Sequence, residues 1–311
     1  MQLINNPQLY KKFSIGLSLE TTLEEYKQLL DVFGIYIYDI FFSLPLGNDH
    51  HSRRQTAYEF SKEGAKDQFI SILRLMKENG IKLEAALNTP MLNKNLVLEA
   101  FDYLQNYIDF DSIVTLKDYG QMAKERFPQK QLVYSYNNEI RTKEHVDSVP
   151  PVFNEVVIGN SCIRDLQLLS YIKLKGFKNK LLVNNGCSFN CYWCNKPGTC
   201  KPIFYRNLEQ YSAEELYALQ SIFPWELHKY ILNKVEIDRI KISSRPSGYD
   251  FISNCLYGYI SNNDHELSKR PGYYNLWGRL GHFVSYYDSF DFDRINAIKE
   301  KIWSGQKVFG F

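Results

Sequence analysis

The stretch KLEAALNTPMLNKNLVLEAFDYLQNYIDFDSIVTL, residues 82–116, predicts a strand, a helix and a second strand in succession. Lys82–Asn88 and Ser112–Leu116 are short and rich in apolar residues, as expected of strands. Asn93–Tyr107 lies between them and has the amphipathic pattern of a surface helix. A helix that connects two neighbouring strands implies that the strands are parallel.

The same alternation recurs along most of the chain. Further strands are predicted at Phe13–Ser18, Ile35–Ser43, Gln131–Tyr136, Glu155–Ile158, Lys180–Val183 and Arg239–Ile242. Further helices are predicted after Thr21-Thr22, near Lys62–Asn79, at Asp118–Phe127, near Arg164–Lys175 and near Ala213–Leu232. Eight such units in about 250 residues predict an α/β fold of the TIM-like (β/α)8 barrel type. A doubly wound sheet is the alternative.

The predicted domain organisation is a barrel over residues 1–250 and a C-terminal extension over residues 251–311 that packs on it. The extension is expected to be helical, with its last helix at Phe290–Trp303.

Composition favours a globular protein with no special attraction to nucleic acids. The 311 residues are 44% hydrophobic and 23% charged, with a net charge of +2. No apolar run approaches the roughly 18 residues of a membrane span, and the N-terminus lacks the pattern of a secretory signal. We therefore expect a soluble, cytoplasmic protein with no membrane partner.

Cysteines concentrate in one loop that begins directly after the seventh predicted strand. They are spaced C-x3-C-x2-C-x5-C, at Cys187, Cys191, Cys194 and Cys200. Thiolates this close in sequence can converge on one metal centre, and a compact set of four suits a [4Fe–4S] cluster. Structural zinc is the alternative, although zinc sites mostly separate two cysteine pairs by a dozen or more residues. A loop without metal is the third possibility.

The fourth ligand is the least certain of the set. Pro197-Gly198 could turn Cys200 away, and Cys162 at the end of the sixth predicted strand would then replace it. Cys255 is predicted to be a buried apolar residue.

Other polar residues also follow predicted strands, and would therefore share the carboxyl end of the barrel with the cysteines. Arg245 is predicted to clamp an anionic group, and Arg53 or Arg54 to assist it. His50 and His51 are candidates for acid–base catalysis or anion binding, although they also fit an ordinary solvated loop. Asn88 is predicted either to bind substrate or to cap the next helix.

Several segments resemble the U-32 peptidase family, a collagenase-like group that includes proteins of anaerobic ubiquinone and RNA hydroxylation. The similar segments, in the family's order, are residues 52–61, 79–89, 157–169, 182–191 and 239–245. The resemblance implies a barrel with a cysteine loop after a late strand. Ser243-Ser244 stands where the family has Glu-Gly, and no cysteine precedes Cys162.

The C-x3-C-x2-C spacing also resembles the motif of radical S-adenosylmethionine enzymes. There, three thiolates hold the cluster and the remaining iron binds S-adenosylmethionine. The motif of that family normally follows the first strand, whereas here six β/α units precede it.

The sequence therefore predicts an iron–sulphur protein of the U-32-like type. The family resemblance implies an oxygen-independent redox, hydroxylation or other modification enzyme. The arginines predict a small-molecule or macromolecular substrate with an anionic group, and an electron donor is a candidate partner. The alternatives are a radical S-adenosylmethionine enzyme and a metal-stabilised binding protein without catalytic activity. Protease activity is not predicted, because the chain has neither a Gly-x-Ser-x-Gly nor a His-Glu-x-x-His motif.

Overall fold

The computed structural model describes residues 5–46, 60–89, 92–138, 140–159, 162–184, 222–242, 248–263 and 296–298. The strands are β1 Phe13–Gly16, β2 Ile37–Phe42, β3 Lys82–Leu87, β4 Ser112–Thr115, β5 Gln131–Tyr134, β6 Glu155–Ile158, β7 Lys178–Leu182 and β8 Arg239–Ile242. The helices are α1 Leu23–Phe33, α2 Ala65–Glu78, α3 Lys94–Tyr107, α4 Gly120–Arg126, α5 Lys143–Asp147, α6 Leu166–Leu174, α7 Pro224–Glu226 and α8 Gly248–Ser261. A π-helical turn, Leu227–Ile231, continues α7.

The strands form a closed parallel barrel in the order β1 to β8. Closure is made by β1 and β8, where Phe13 is opposite Ile240 and Ile15 is opposite Ile242. The predicted (β/α)8 barrel is thus confirmed, and a doubly wound sheet, which would leave two open edges, is excluded.

Local sequence signals explain where the helices begin and end. Thr22 and Glu25 form a reciprocal capping box at the start of α1, which satisfies backbone N–H groups of its first turn. Helix α2 ends before Gly80, whose φ of 69° lies in the left-handed region that glycine adopts without strain. These ends agree with the sequence prediction to within a few residues.

Some predicted elements needed correction. Helix α5 was not predicted, β7 begins at Lys178 rather than Lys180, and α2 begins at Ala65 rather than near Lys62. Helix α8 spans the predicted domain boundary after residue 250 and packs against α1, and the division into a barrel and an extension stays a prediction. Of the predicted helix Phe290–Trp303, residues 296–298 are helical and the rest lies outside the described residues. Among the helices that the structure describes, every one is too short or too polar to cross a membrane.

A buried ion pair joins the start of α6 to α7. Nε of Arg164 donates to Oε1 of Glu226 at 2.7 Å, and Nη2 donates to Oε2 at 3.1 Å. Both side chains are fully buried. Oε2 of Glu226 also accepts a hydrogen bond from the backbone N–H of Phe223 at 2.7 Å, so the carboxylate fixes the entry into α7.

Removing the carboxylate of this pair should destabilise the protein strongly. In Glu226→Ala the Arg164 guanidinium stays buried without its counter-ion, and we expect the free energy of unfolding in urea to fall by about 3–5 kcal/mol. The matched control is Asp102→Ala, which breaks the exposed pair between Arg126 and Asp102 and should cost about 1 kcal/mol or less. Equal losses in the two variants would contradict this account.

Candidate functional site

Most residues predicted from the sequence to form the site lie outside the part of the chain that the structure describes. This holds for Cys187, Cys191, Cys194, Cys200, His50, His51, Arg53, Arg54 and Arg245. Their predicted roles stay predictions. Asn88 is described, and so are the two remaining cysteines, Cys162 and Cys255.

Asn88 lies directly after β3, at the carboxyl end of the barrel, where it is half-buried. Its Nδ2 donates to Oγ of Ser135 at 3.0 Å, and its carbonyl oxygen accepts from Nδ2 of Asn137 at 2.5 Å. The predicted capping role is wrong, because the side chain that caps α3 is Asn93, which accepts from the N–H of Leu96. Its predicted role in substrate binding is not tested by these contacts.

The neighbouring Asn138 joins the ends of β4 and β5. Its Oδ1 accepts from the backbone N–H of Lys117 at 2.7 Å, and its Nδ2 donates to the carbonyl of Thr115 at 3.2 Å. Asn88, Ser135 and Asn138 therefore connect the carboxyl ends of three consecutive strands. The sequence prediction that Asn88 lies at the carboxyl end of the barrel is confirmed.

Cys162 and Cys255 are both buried. Cys162 follows β6, and its Sγ is 2.9 Å from the carbonyl oxygen of Ile140, to which the thiol donates. Cys255 lies on α8 within the hydrophobic core, as predicted, and its Sγ accepts a contact from Nδ2 of Asn184 at 3.6 Å. Asn184 follows β7 and lies three residues before Cys187, so the described chain leads to the cysteine run from the carboxyl end of the barrel.

Strand register arranges the barrel interior in layers, each with positions from alternate strands. From the amino end, the first layer holds Asp39, Ser112, Glu155 and Arg239, and the second holds Ser14, Glu84, Val133 and Lys180. The third holds Phe41, Val114, Val157 and Lys241, and the fourth holds Gly16, Ala86, Ser135 and Leu182. The apolar members Val114, Val133, Val157 and Leu182 form a cluster separate from the main core.

A network of charges fills the amino-terminal half of this interior. Nζ of Lys180 donates to Oε2 of Glu84 at 2.5 Å and to Oδ2 of Asp39 at 3.1 Å. The same ammonium lies 3.7 Å from Oε2 of Glu155. Nζ of Lys241 donates to Oε1 of Glu84 at 3.0 Å. Glu84 is thereby shared by two lysines, and we call these five residues the interior charge network.

The two central members of the network are held in their charged forms. Burial alone would lower the pKa of Lys180, but the three carboxylates around it outweigh burial and raise that pKa. Burial alone would raise the pKa of Glu84, but the ammonium groups of Lys180 and Lys241 outweigh it and lower the pKa to about 2. Lys180 and Glu84 are therefore ionised throughout the physiological pH range.

In the other three members, Glu155, Asp39 and Lys241, the pKa shifts in the direction that favours the neutral form. Burial raises the pKa of Glu155 to about 6, because the attraction of Lys180 offsets only part of the lost hydration. Burial and the negative charge of Glu84 raise the pKa of Asp39, against the attraction of Lys180. Burial and the positive charge of Lys180 lower the pKa of Lys241, against the attraction of Glu84. Arg239, in the same layer as Glu155, also attracts that carboxylate, but burial outweighs both positive charges.

Sequence reasoning missed this network. The available signal was a charged residue at an inward position of a strand, such as Asp39, Glu84 or Lys180, in runs that a buried parallel strand normally fills with apolar residues. Charges of both signs at such positions imply partners inside the barrel. The sequence alone left Glu84 without a visible partner.

Among the described residues, no group of three or more His, Cys, Asp and Glu side chains could hold a metal ion. The interior charge network already contains two ammonium groups as its cations. The predicted cluster ligands lie outside the described residues, so this finding does not bear on them.

No family model matches the sequence, and no curated protein matches it. Among solved structures, the chain is similar to a U32 peptidase with 13% identity and a TM-score of 0.47, over 79% of this chain and 98% of that one. It is also similar to the tryptophan synthase A-subunit of Pyrococcus furiosus, with 10% identity and a TM-score of 0.45, over 88% and 98%. A GH30 endoxylanase from Clostridium papyrosolvens gives 9% identity and a TM-score of 0.43, over 85% and 73%. Likenesses this low carry no argument about function.

The perturbed Glu155 should give the protein a distinct dependence of stability on pH. Its pKa is 4.5 when exposed and about 6 in the folded protein, so its contribution to stability is complete below pH 4.5 and is lost as pH rises to about 6. Between pH 4 and 7 the wild type should lose about 2 kcal/mol relative to Glu155→Gln, which cannot ionise. Urea unfolding across this pH range measures the difference.

The control for this experiment is Glu63→Gln, at an exposed position before α2. Its stability profile should run parallel to that of the wild type. A parallel profile for Glu155→Gln as well would show that Glu155 titrates normally.

Proposed function

We propose that this protein is an iron–sulphur enzyme of the U-32-like type that modifies an anionic substrate without using molecular oxygen. Cys187, Cys191, Cys194 and Cys200 would hold a [4Fe–4S] cluster beyond β7. The donor set fits such a cluster, because four thiolates within one loop are its usual ligands. When bound, a cluster of this kind supplies one-electron transfer or a Lewis-acidic iron.

One observation carries this proposal: the cysteine run begins just beyond the carboxyl end of a strand in a closed barrel. Strand β7 ends at Leu182, and the backbone N–H of Val183 still bonds to the carbonyl of Lys241 on β8 at 3.1 Å. The described chain continues to Asn184, three residues before Cys187. Barrel enzymes carry their chemistry at this end of the strands.

The contacts of Cys162 support Cys200 as the fourth ligand. Cys162 follows β6, the strand next to β7, so it belongs to the same end of the barrel. Its thiol donates a hydrogen bond to the carbonyl of Ile140. A thiol that makes this contact is protonated, whereas a metal-bound cysteine is a thiolate, so the contact favours Cys200 over Cys162 as the fourth ligand.

The remaining proposed roles concern the substrate. Arg245, with Arg53 or Arg54, would bind its anionic group, since guanidinium groups pair with carboxylate or phosphate through two hydrogen bonds. His50 or His51 would transfer protons. Asn88 would present its side-chain amide at the same end of the barrel, and an electron donor would complete the reaction cycle.

Metal analysis tests the proposal directly. After anaerobic purification we expect about four iron atoms and four acid-labile sulphides per chain. Stoichiometric zinc without sulphide would contradict the proposal and favour a metal-stabilised binding protein. Release of 5′-deoxyadenosine from S-adenosylmethionine by the reduced protein would instead favour a radical enzyme.

Cysteine variants separate ligands from structural residues. Each of Cys187→Ala, Cys191→Ala and Cys194→Ala should lose most of the bound iron and the visible absorption of the cluster. Cys162→Ala and its matched control Cys255→Ala, both at buried positions, should keep them. Loss of iron from Cys162→Ala but not from Cys255→Ala would make Cys162 the fourth ligand in place of Cys200.

A further inference from the structure

The four cysteines predicted to bind metal belong to residues 185–221, which we call the cysteine segment. Val183 and Asn184 precede this segment, and Ile222 follows it. Val183 and Ile222 are both buried in the main hydrophobic core. Their backbone polar groups therefore need hydrogen-bond partners inside the protein.

The hydroxyl of Tyr259 on α8 connects the two sides of the cysteine segment. Its Oη donates to the carbonyl of Val183 at 2.9 Å and to the carbonyl of Ile222 at 2.7 Å. A phenol has a single proton, so the two carbonyl oxygens share it and lie close to each other. Tyr259 is 1% exposed, and water therefore competes little for this proton.

The flanking positions are also fixed by other contacts. The backbone N–H of Val183 donates to the carbonyl of Lys241 on β8 at 3.1 Å. On the other side, the N–H of Phe223 donates to the buried carboxylate of Glu226 at 2.7 Å. Tyr259 thus joins a strand end of the barrel to the start of α7, two parts of the chain that are each already anchored.

The backbone of Tyr259 is anchored as well. Nε2 of His228, in the π-helical turn after α7, donates to the carbonyl of Tyr259 at 2.6 Å. Helix α8 also packs against α1 and α7. The Tyr259 hydroxyl is therefore presented from a helix whose position is set by its neighbours.

A tie of this kind affects any metal that several cysteines of the segment would bind together. Holding the ends of a long loop close to each other lowers the entropic cost of bringing residues within the loop to one point. A site that is organised in advance loses less free energy when its ligand binds. Breaking the tie should therefore weaken metal binding, whichever metal is bound.

We propose that Tyr259 is a positioning residue for the metal centre, whose hydroxyl holds the two ends of the cysteine segment together before the metal binds. This inference rests on the proposed function, because it takes the four cysteines as metal ligands, but it requires no particular metal. It also gives α8 a role in metal binding, although the helix itself supplies none of the proposed ligands.

Titration of the reduced, metal-free protein with Co²⁺ tests the proposal. Thiolates that bind Co²⁺ produce a strong charge-transfer absorption in the near ultraviolet, and Cys187→Ala should weaken this signal. Tyr259→Phe removes the hydroxyl and keeps the ring. Its dissociation constant for Co²⁺ should rise about fivefold, which corresponds to about 1 kcal/mol.

The matched control is Tyr26→Phe. Tyr26 is also fully buried, and its Oη accepts from the N–H of Ser18 at 2.8 Å and donates to the Ser18 carbonyl at 3.2 Å. Both variants lose buried hydrogen bonds of one tyrosine and should lose similar stability in urea, but Tyr26→Phe should bind Co²⁺ as tightly as the wild type. Unchanged affinity in Tyr259→Phe, or an equal loss of affinity in both variants, would overturn the proposal.

Hydrogen exchange of the wild type provides a second measurement, which decides if Tyr259→Phe does not fold. The amides of Val183 and Phe223 should be protected equally in the metal-free and the Co²⁺-loaded protein, because the ends of the cysteine segment are held before metal binds. Protection that arises only when Co²⁺ is added would show that the metal holds these ends, and would overturn the proposal.

Failure of this proposal is distinguishable from failure of the proposed function. A wild type that contains zinc and no sulphide, together with weaker Co²⁺ binding in Tyr259→Phe, would remove the iron–sulphur cluster and leave the role of Tyr259 standing. A full iron–sulphur cluster together with unchanged Co²⁺ affinity in Tyr259→Phe would do the reverse. A wild type that binds no Co²⁺ would overturn the role of Tyr259.

Discussion

Contact between charged side chains from opposite walls of the barrel is the constraint on which the interior depends. Lys180 on β7 reaches Asp39 on β2 and Glu84 on β3, and these partners meet only if the sheet closes between β8 and β1. An isolated charge in such surroundings would be costly, whereas a paired and hydrogen-bonded one is tolerated. Closure of the barrel therefore brings these buried charges to their partners on the opposite wall.

This arrangement divides the barrel along its axis. Most of the charges lie in the first two layers, the third combines Lys241 with Phe41, Val114 and Val157, and small residues and hydrogen-bonded amides follow toward the carboxyl end. A substrate that enters from the carboxyl end would meet Asn88 and Ser135 first and Lys241 last. The proposed cluster thus belongs to the carboxyl end of the barrel, and the interior charge network lies deeper.

The sequence predicted the barrel well because its signals are local. Runs such as Lys82–Leu87 and Arg239–Ile242 have strand composition, and Thr22 with Glu25 marks the start of a helix within four residues. Helix α5 was missed because it is barely one turn long and has only Thr142 as its capping signal. Asn88 was placed at the correct end of the barrel, but its hydrogen bond to Ser135, 47 residues away, could not be foreseen.

The interior charge network shows where local reasoning stops. Lys180 and Asp39 are 141 residues apart, and Lys241 and Glu84 are 157 apart, so their pairing follows from strand register and closure rather than from any nearby pattern. Only the unusual presence of charges in buried strands was visible in advance.

Because Lys180 and Lys241 both bind Glu84, the amino-acid sequence of the barrel interior is constrained in evolution. A single replacement of Lys180 by a neutral residue takes the lysine partner from Asp39 and Glu155, and one of Glu84 takes the carboxylate from Lys241, whereas joint replacement of the whole interior charge network by apolar residues leaves none of its charges unpaired. The interior charge network can therefore change in evolution only by coordinated substitutions on several strands. We therefore expect substitutions to accumulate more slowly in the barrel interior than in the loops at its carboxyl end, so that specificity can change while the interior stays the same.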